Sequence, residues 1–474
     1  MSDPRLTGGA GASGAASPSI LAMSAPLVLS FWMRAAFNFV DTAYAATLGD
    51  AAIAAIGLAI PVEFLMIACW VGISNGLTSH LSRAMGAGEG ARIEQLLAAT
   101  WRLITRILMP VFAALATALW LGATHLGLDA HVARMFGVYG GVVLGGSALT
   151  GFWSILPDSL VKAHHDTRST MWAGIWSNVI NVVLNTIFLF VFHWGIFGIA
   201  FSTVLGRFGG LVYALRRAKR HEDARKASGA PVSSSRDPHP LRSILTLALP
   251  SGASYGLMAM ESTLINAILA TTALATASIA AYSIYYRVVM FALMPMIAVS
   301  VAALPFTARH FGRGDLDAIR HGWRTVSVAA AAYTLLIVGP ACWFGGPPLA
   351  HLLAEEPTTA ALAAFALRIV PVACLVSIPF FLCRPTFEGI QRGRPGLVMA
   401  VLRYVILTAP MAYGGARLAE RWGFPALDGL LCGLIVASAL TSVVFQAWMM
   451  VSLRALDRSP ADASPAAAPR HSPV

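Results

Sequence analysis

Apolar residues occur along this chain in repeated runs that are far longer than those of a soluble protein. Each run holds about 20 or more mainly apolar residues, the length that an α-helix needs to cross a hydrocarbon layer of ~30 Å. The runs do not alternate polar with apolar positions, as the strands of a membrane barrel would. The pattern predicts twelve membrane-spanning helices, at 26–47, 51–79, 99–123, 135–157, 171–193, 196–215, 246–272, 278–305, 325–344, 359–383, 397–416 and 427–452.

Polar segments divide the chain into two tails, two groups of apolar runs and one linker. The longest internal polar stretch, RRAKRHEDARKASGAPVSSSRDPHPLRS, carries Pro, Gly and Ser at its centre, which is typical of a linker. We therefore expect a flexible cytoplasmic tail at 1–25, a six-helix bundle at 26–215, a cytoplasmic linker at 216–243, a second six-helix bundle at 244–453 and a disordered cytoplasmic tail at 454–474.

The two halves of the chain resemble each other at one fixed offset of 226 residues. The shift aligns Ile53, Ala54 and Ala55 with Ile279, Ala280 and Ala281, Arg83 with Arg309, Gly86 with Gly312, and Arg168 with Arg394. Because six helices separate equivalent points, both halves must share one orientation in the membrane. Parallel repeats of this kind are typical of secondary transporters. The predicted fold is an all-α membrane protein in which a parallel internal repeat relates two six-helix bundles.

Composition supports a membrane protein, and the charge distribution predicts its orientation. The 474 residues are 57% hydrophobic and 12% charged, and the mean hydropathy is +0.69. With a cytoplasmic amino terminus, most Lys and Arg residues fall in inside segments, as the positive-inside rule requires. The net charge of +11 is then explained by topology and anionic lipids without a nucleic-acid partner. We expect a multi-pass protein of the bacterial inner (plasma) membrane with both termini cytoplasmic.

The first run contains an acidic residue, Asp41, within a polar stripe. A buried ionisable group costs ~2.5–3.5 kcal/mol and usually faces a bundle interior or a wet cavity. Arg34, Asn38 and Asp41 share one helix face, and the fifth run carries Asn178, Asn181 and Asn185 at similar spacing. Facing asparagines would support the carboxylate in both protonation states, as proton coupling requires. The alternative is a static Asp41–Arg34 ion pair, but helical spacing separates these residues by ~10 Å along the axis.

Glu261 is the acidic residue of the seventh run and the candidate carboxylate of the second half. Aromatic and methionine side chains suit an organic cation because they combine cation–π attraction with an adaptable surface. We predict a substrate site formed by Glu261, Met258, Tyr282, Tyr286 and Met290, with Glu63 of the second run as a further candidate. The alternative is that these aromatic and methionine residues serve ordinary helix packing.

The sequence resembles the multidrug and toxic compound extrusion (MATE) family of antiporters over nearly its whole length. The residues that carry the resemblance are FVDTAYAATLGDAAIAAIG (39–57), LSRAMGAGEGARIE (81–94), HDTRSTMWAGIWSNVINVVLNTIFLF (165–190), GIFGIAFSTVLGR (195–207) and SIAAYSIYYRVVMFALMPMIAVSVAALPFTARHFGRGDLDAI (278–319). Their order and spacing across twelve helices are more specific than any one of them alone.

The resemblance implies a monomeric antiporter, without a cofactor or metal and not an enzyme, that exports amphipathic organic cations. It also implies a cation-coupling role for Asp41, Asn181 and Asn185. Several relatives carry an acidic residue where this chain has Asn185, so we favour protons over sodium as the coupling ion. Sodium-coupled efflux remains an alternative. So does a flippase for lipid-linked oligosaccharides, for which the candidate cationic residues are Arg34, Arg207, Arg287 and Arg403.

Overall fold

The computed structural model of this protein describes residues 18–227 and 236–458, except 128 and 355. Within these ranges the side chains of Asn38, Phe39, Asp41, Thr42 and Arg458 lie outside the described part. Statements below concern the described residues.

Twelve helices long and apolar enough to cross a membrane make up the described chain, which confirms the predicted number and the all-α class. They are α1 (Ile20–Ala46), α2 (Asp50–Ala87), α3 (Gly90–His125), α4 (Ala130–Ala163), α5 (Thr167–Val191), α6 (Gly195–Ala227), α7 (Pro240–Leu269), α8 (Ala275–Gly312), α9 (Leu316–Leu353), α10 (Pro357–Gly389), α11 (Arg394–Arg421) and α12 (Ala426–Arg458).

Four of the predicted segment boundaries move because helices extend beyond the apolar runs, the last of them because α12 continues to Arg458. Residues 216–227 belong to α6 and residues 240–243 to α7, so the helix-free part of the predicted linker is shorter than 216–243. The Glu222 carboxylate accepts hydrogen bonds from Arg225 three residues later, a pair that stabilises an exposed helix. At the amino terminus α1 begins at Ile20, six residues before the predicted run, where the Ser19 hydroxyl caps the Ala22 amide. Most of the two predicted tails lies outside the described residues.

The halves meet along α2 and α8 in a reciprocal contact. A β-carbon on Gly86 would lie 2.2 Å from the carbonyl oxygen of Arg309, and one on Gly312 would lie 2.2 Å from the carbonyl oxygen of Arg83. Each pair becomes the other under the 226-residue shift. The contacts are therefore those of a two-fold axis running between the two helices, which is the geometry of a parallel repeat.

Helices α1 and α7 each cross from one half to the other. Ile20 and Leu27 of α1 are buried in the core of the second half, whereas Ala45 is buried in a core of the first half. Conversely, Ile244 of α7 is buried among α2, α3 and α4, whereas Leu269 is buried in the second half. The crossing joins the halves on the side of the membrane that carries the segment between α6 and α7, called here the linker side.

Wide, π-helical turns interrupt the same two helices of each half. In the first pair they span Ile104–Leu108 of α3 and Thr334–Val338 of α9. In the second pair they span Ile187–Val191 of α5 and Val401–Leu407 of α11. Such turns are rare and frequently occur at functional sites. The turns of α3 and α9 nearly coincide under the 226-residue shift, whereas those of α5 and α11 lie at different heights in their helices.

Candidate functional site

Helices α1 and α5 pack side by side and run in the same direction. At one level the Ser30 hydroxyl lies 3.0 Å from where a Gly174 β-carbon would stand. At another level the Tyr44 and Thr186 hydroxyls are 2.6 Å apart. This register sets residue 41, less than one turn before Tyr44, level with residues 183–185 of α5. The backbone therefore brings the predicted stripes to one height, while the side chains of Asn38 and Asp41 lie outside the described part.

Two of the three predicted asparagines of α5 form a buried network with α6. Asn185 is fully buried and its amide oxygen accepts a 2.5 Å hydrogen bond from the Ser202 hydroxyl. The Asn185 amide donates to the Asn181 amide oxygen at 3.4 Å, and Asn181 donates to Thr203 at 3.2 Å. Among the hydrogen bonds of this network between described residues, none involves Asn178. The hydroxyl partners on α6 could not be found from the α5 stripe, because they are set by how α6 packs.

Glu63 belongs to a separate polar group inside the first half. Its carboxylate accepts a 3.3 Å hydrogen bond from the Tyr139 hydroxyl of α4. Arg34 lies within electrostatic range of both Glu63 and Arg207, and Arg207 donates to the Ser147 hydroxyl. The structure thus pairs Glu63 with its own half and does not bring it to Glu261, with which the sequence analysis had grouped it.

Glu261 lies in the second half among tyrosines of α8 and residues of α11. Its carboxylate accepts a 3.4 Å hydrogen bond from the Thr408 hydroxyl. Tyr282 and Tyr286, both predicted, have ring centroids 6.1 Å apart and lie within electrostatic range of Glu261. Tyr282 is only 3% exposed, whereas Glu261 and Tyr286 are partly exposed.

The two predicted methionines lie on different sides of this group. Met290 packs against the core of the second half. Met258 instead lines a small enclosed cavity of about 30 Å³ together with Tyr255, Phe380, Arg384 and Tyr404. A space of this size holds at most one or two waters, so this conformation has no room for a drug-sized molecule at that point.

A buried polar cluster that the sequence pattern does not predict joins the halves on the linker side. Asn75 of α2 donates to the Ser251 hydroxyl at 3.0 Å and to the Glu388 carboxylate at 3.4 Å. Ser79 donates to the Glu388 carbonyl oxygen at 2.6 Å and accepts from Gln391 at 2.7 Å. These residues, Asn75, Ser79, Ser251, Glu388 and Gln391, are called here the inter-half cluster. No local signal marks them, since the partners are far apart in the chain.

Each half carries a buried ion pair at equivalent positions, with the signs reversed. Asp158 and Lys162 of α4 pair at 2.6 Å, and Arg384 and Glu388 of α10 pair at 3.2 Å. The 226-residue shift superimposes acid on base and base on acid. Lys162 lies over the ring of Trp70 in its own half, whereas Glu388 also bonds across the boundary. The second pair is therefore the one that responds directly to separation of the halves.

A histidine in the turn between α4 and α5 makes a further contact between the halves. His165 adopts a left-handed backbone (φ 61°) and its Nε2 lies 3.3 Å from the carbonyl oxygen of Pro305 in α8. Burial, reinforced by the charge of Arg309, lowers the pKa of His165 to about 3. The imidazole is neutral at physiological pH and donates to the carbonyl.

Comparison with known proteins identifies the family. The MatE family model matches residues 26–187 and 250–414. An FAD transporter of Shewanella oneidensis is 22% identical over 446 residues, covering 90% of this chain and 92% of the relative. The multidrug resistance protein NorM of Burkholderia vietnamiensis is 25% identical over 452 residues, covering 90% and 92%. A crystal structure of MATE in complex with MaL6 superimposes with a TM-score of 0.82 at 20% identity, covering 93% of this chain and 98% of that one. The two matched segments span more than half of this multi-pass membrane protein, and the chain therefore belongs to the MatE family of membrane transporters.

Proposed function

We propose that this protein is a secondary active antiporter that exports amphipathic organic cations in exchange for protons. The observation that carries the proposal is the register of α1 on α5, which sets residue 41 level with the buried Asn181–Asn185–Ser202 network. In this proposal the protein resides in a bacterial inner membrane, and the linker side and both termini face the cytoplasm.

The proton-coupling step requires a carboxyl group that its surroundings stabilise both as a carboxylate and as a carboxylic acid. Amide groups can donate to a carboxylate or accept from a carboxylic acid, and the α5 network supplies them at the height of Asp41. A change in hydration as the halves move would then change the proton affinity of Asp41. The fifth helix carries the neutral Asn185 where several relatives carry an acidic residue. A sodium ion would therefore meet one fixed negative charge fewer than in those relatives, which favours protons as the coupling ion.

Alternating access follows from the position of the inter-half cluster. The hydrogen bonds of Asn75 and Ser79 join the halves on the linker side, and in this proposal they close that side of the transporter. Breaking these bonds, together with the α2–α8 contacts of Gly86 and Gly312, would let the halves tilt apart and admit the substrate on the linker side. This is the rocking motion that parallel-repeat transporters use.

Substrate binding is assigned to the Glu261 group in the second half. Tyr282 and Tyr286 offer ring faces beside a carboxylate, a combination that attracts a positively charged amphipathic molecule. Curated relatives that are named multidrug resistance proteins support this substrate class.

Transport of a cationic dye into inverted vesicles, which corresponds to export from the cell, tests the coupling. An imposed pH gradient should drive transport of a cationic dye by the wild type but not by Asp41→Asn, while Asp50→Asn serves as a matched control at an exposed helix start. The same vesicles under an imposed sodium gradient distinguish sodium-coupled efflux. Full efflux by a folded Asp41→Asn protein would refute the coupling role.

A second candidate function is export of an anionic, phosphate-bearing substrate. Arg34 and Arg207 lie close enough to repel each other, and one relative is named as an FAD transporter. A flippase for lipid-linked oligosaccharides would use the same cationic chemistry. Transport of FAD but not of dye in the vesicle assay would favour the first, and a cell-envelope defect on deletion without drug sensitivity would favour the second.

A further inference from the structure

We propose that Arg403 makes the second-half site selective for zwitterionic substrates, with the guanidinium binding a carboxylate and Glu261 binding the positive end. The inference rests on the proposed function and narrows its substrate class. It assigns a specificity role to a residue of α11 that the sequence analysis considered only in connection with a flippase.

The guanidinium of Arg403 is buried but has hydrogen-bonding capacity to spare. The residue is 9% exposed, and within the described part its Nε and Nη1 atoms make no hydrogen bond. The group lies over the rings of Phe380 and Tyr404, 4.7 and 5.1 Å from their centroids. Ring faces attract the charge but leave the N–H groups in the guanidinium plane unused. Buried charged donors without acceptors are costly, so an acceptor supplied by the substrate would be strongly favoured.

The backbone fixes Arg403 beside Glu261. Arg403 belongs to the π-helical turn Val401–Leu407, and its carbonyl oxygen accepts a hydrogen bond from the Thr408 backbone amide. The Thr408 hydroxyl lies 2.8 Å from that carbonyl oxygen and 3.4 Å from the Glu261 carboxylate. The two acceptors share the single hydroxyl hydrogen of Thr408, which places the wide turn beside the acidic residue. Arg403 is in turn within electrostatic range of the Glu261 carboxylate.

The pairing changes which ligands the site attracts. Glu261 alone would favour any organic cation, but a neighbouring guanidinium offsets its charge, so a lone cation gains little on leaving water. A zwitterion supplies both signs, and a carboxylate can accept two parallel hydrogen bonds from a guanidinium. Tyr282 and Tyr286 remain available to the apolar and cationic parts.

A matched pair of dyes tests the proposal. Rhodamine B carries a free carboxylate, whereas its methyl ester has the same ring system and only the positive charge. In proteoliposomes with an imposed pH gradient, Arg403→Gln should lower rhodamine B transport about tenfold or more, as expected for a lost charged hydrogen bond, and leave ester transport unchanged or raised. Arg421→Gln, the same change at an exposed arginine of α11, should alter neither.

The outcomes separate the proposal from the function on which it rests. Equal loss of both dyes in Arg403→Gln, or no loss of rhodamine B, overturns the specificity role. If that variant does not fold, Arg403→Lys provides the test, because it keeps the charge but loses the bidentate geometry. The ratio of rhodamine B to ester transport should fall, and an unchanged ratio overturns the role. A wild type that transports the ester but not rhodamine B also overturns it while the proposed function stands. A wild type that transports neither dye counts against the proposed function itself.

Discussion

Replacing Gly312 with alanine should open the linker side of the transporter. Its new β-carbon would lie 2.2 Å from the Arg83 carbonyl oxygen, where 3.0 Å is the closest distance that real β-carbons keep. The two backbones would have to separate by at least about 0.8 Å, because neither contacting group is a flexible side chain. Overpacking of this kind costs about 1–3 kcal/mol; the better helix propensity of alanine, worth up to about 1 kcal/mol, stabilises the open and closed conformations equally and does not change their ratio.

The overpacking cost falls on the closed conformation alone, since the contact is lost when the halves separate. About 1.4 kcal/mol changes a two-state ratio tenfold, so the fraction of molecules open on the linker side should rise by roughly that factor. The matched variant Gly86→Ala places its β-carbon 2.2 Å from the Arg309 carbonyl oxygen and should produce the same shift. Gly345→Ala, with no neighbouring atom within 4 Å of the new carbon, is the control.

Distance measurements between spin labels would detect the opening. Glu94 of α3 and Asp317 of α9 are 65% and 94% exposed and begin equivalent helices of the two halves on the linker side. Labels at Glu94→Cys and Asp317→Cys, with the exposed Cys432 replaced by serine, should report a longer-distance population in both tight-glycine variants. Folded Gly312→Ala protein with the wild-type distance distribution would refute the reasoning, as would a large difference between the Gly86 and Gly312 variants.

Two further predictions concern contacts between the halves. Ser79→Ala removes a hydrogen-bond donor to Glu388 and an acceptor for Gln391, each bond being worth about 1 kcal/mol. The same spin labels should therefore show opening on the linker side. The control is Ser82→Ala, whose buried hydroxyl has no partner in the described part and whose loss should not change the distances. Because the pKa of His165 is about 3 in the folded protein against an ordinary 6.5, the unfolded chain binds the proton first as pH falls. Protonation of His165 should therefore lower the free energy of unfolding by about 1.4 kcal/mol per pH unit between these two pKa values. His165→Gln should make the free energy of unfolding less dependent on pH in denaturation experiments. An unchanged pH dependence in this variant would contradict the prediction.

The sequence determined those features that depend on a single stretch of chain. Twelve spans follow from the lengths of apolar runs, because a helix must satisfy its own backbone groups within the hydrocarbon layer. The repeat is visible at one offset because corresponding close contacts need the same residues, such as Gly86 and Gly312 at the two-fold contact. The same reasoning missed the helical part of the linker, since hydropathy does not detect a polar helix that extends into water.

Tertiary structure alone decided which residues meet. The predicted asparagines acquire Ser202 and Thr203 as partners only through the packing of α6, and Glu63 is paired with Tyr139 in the first half. The contacts of Asn75 with Ser251 and Glu388, and of Thr408 with Glu261, join helices that are far apart in sequence. Spacing along a helix fixes the face on which a side chain lies, but the partner depends on the rotation and register of a neighbouring helix, which are set by close packing over the whole bundle.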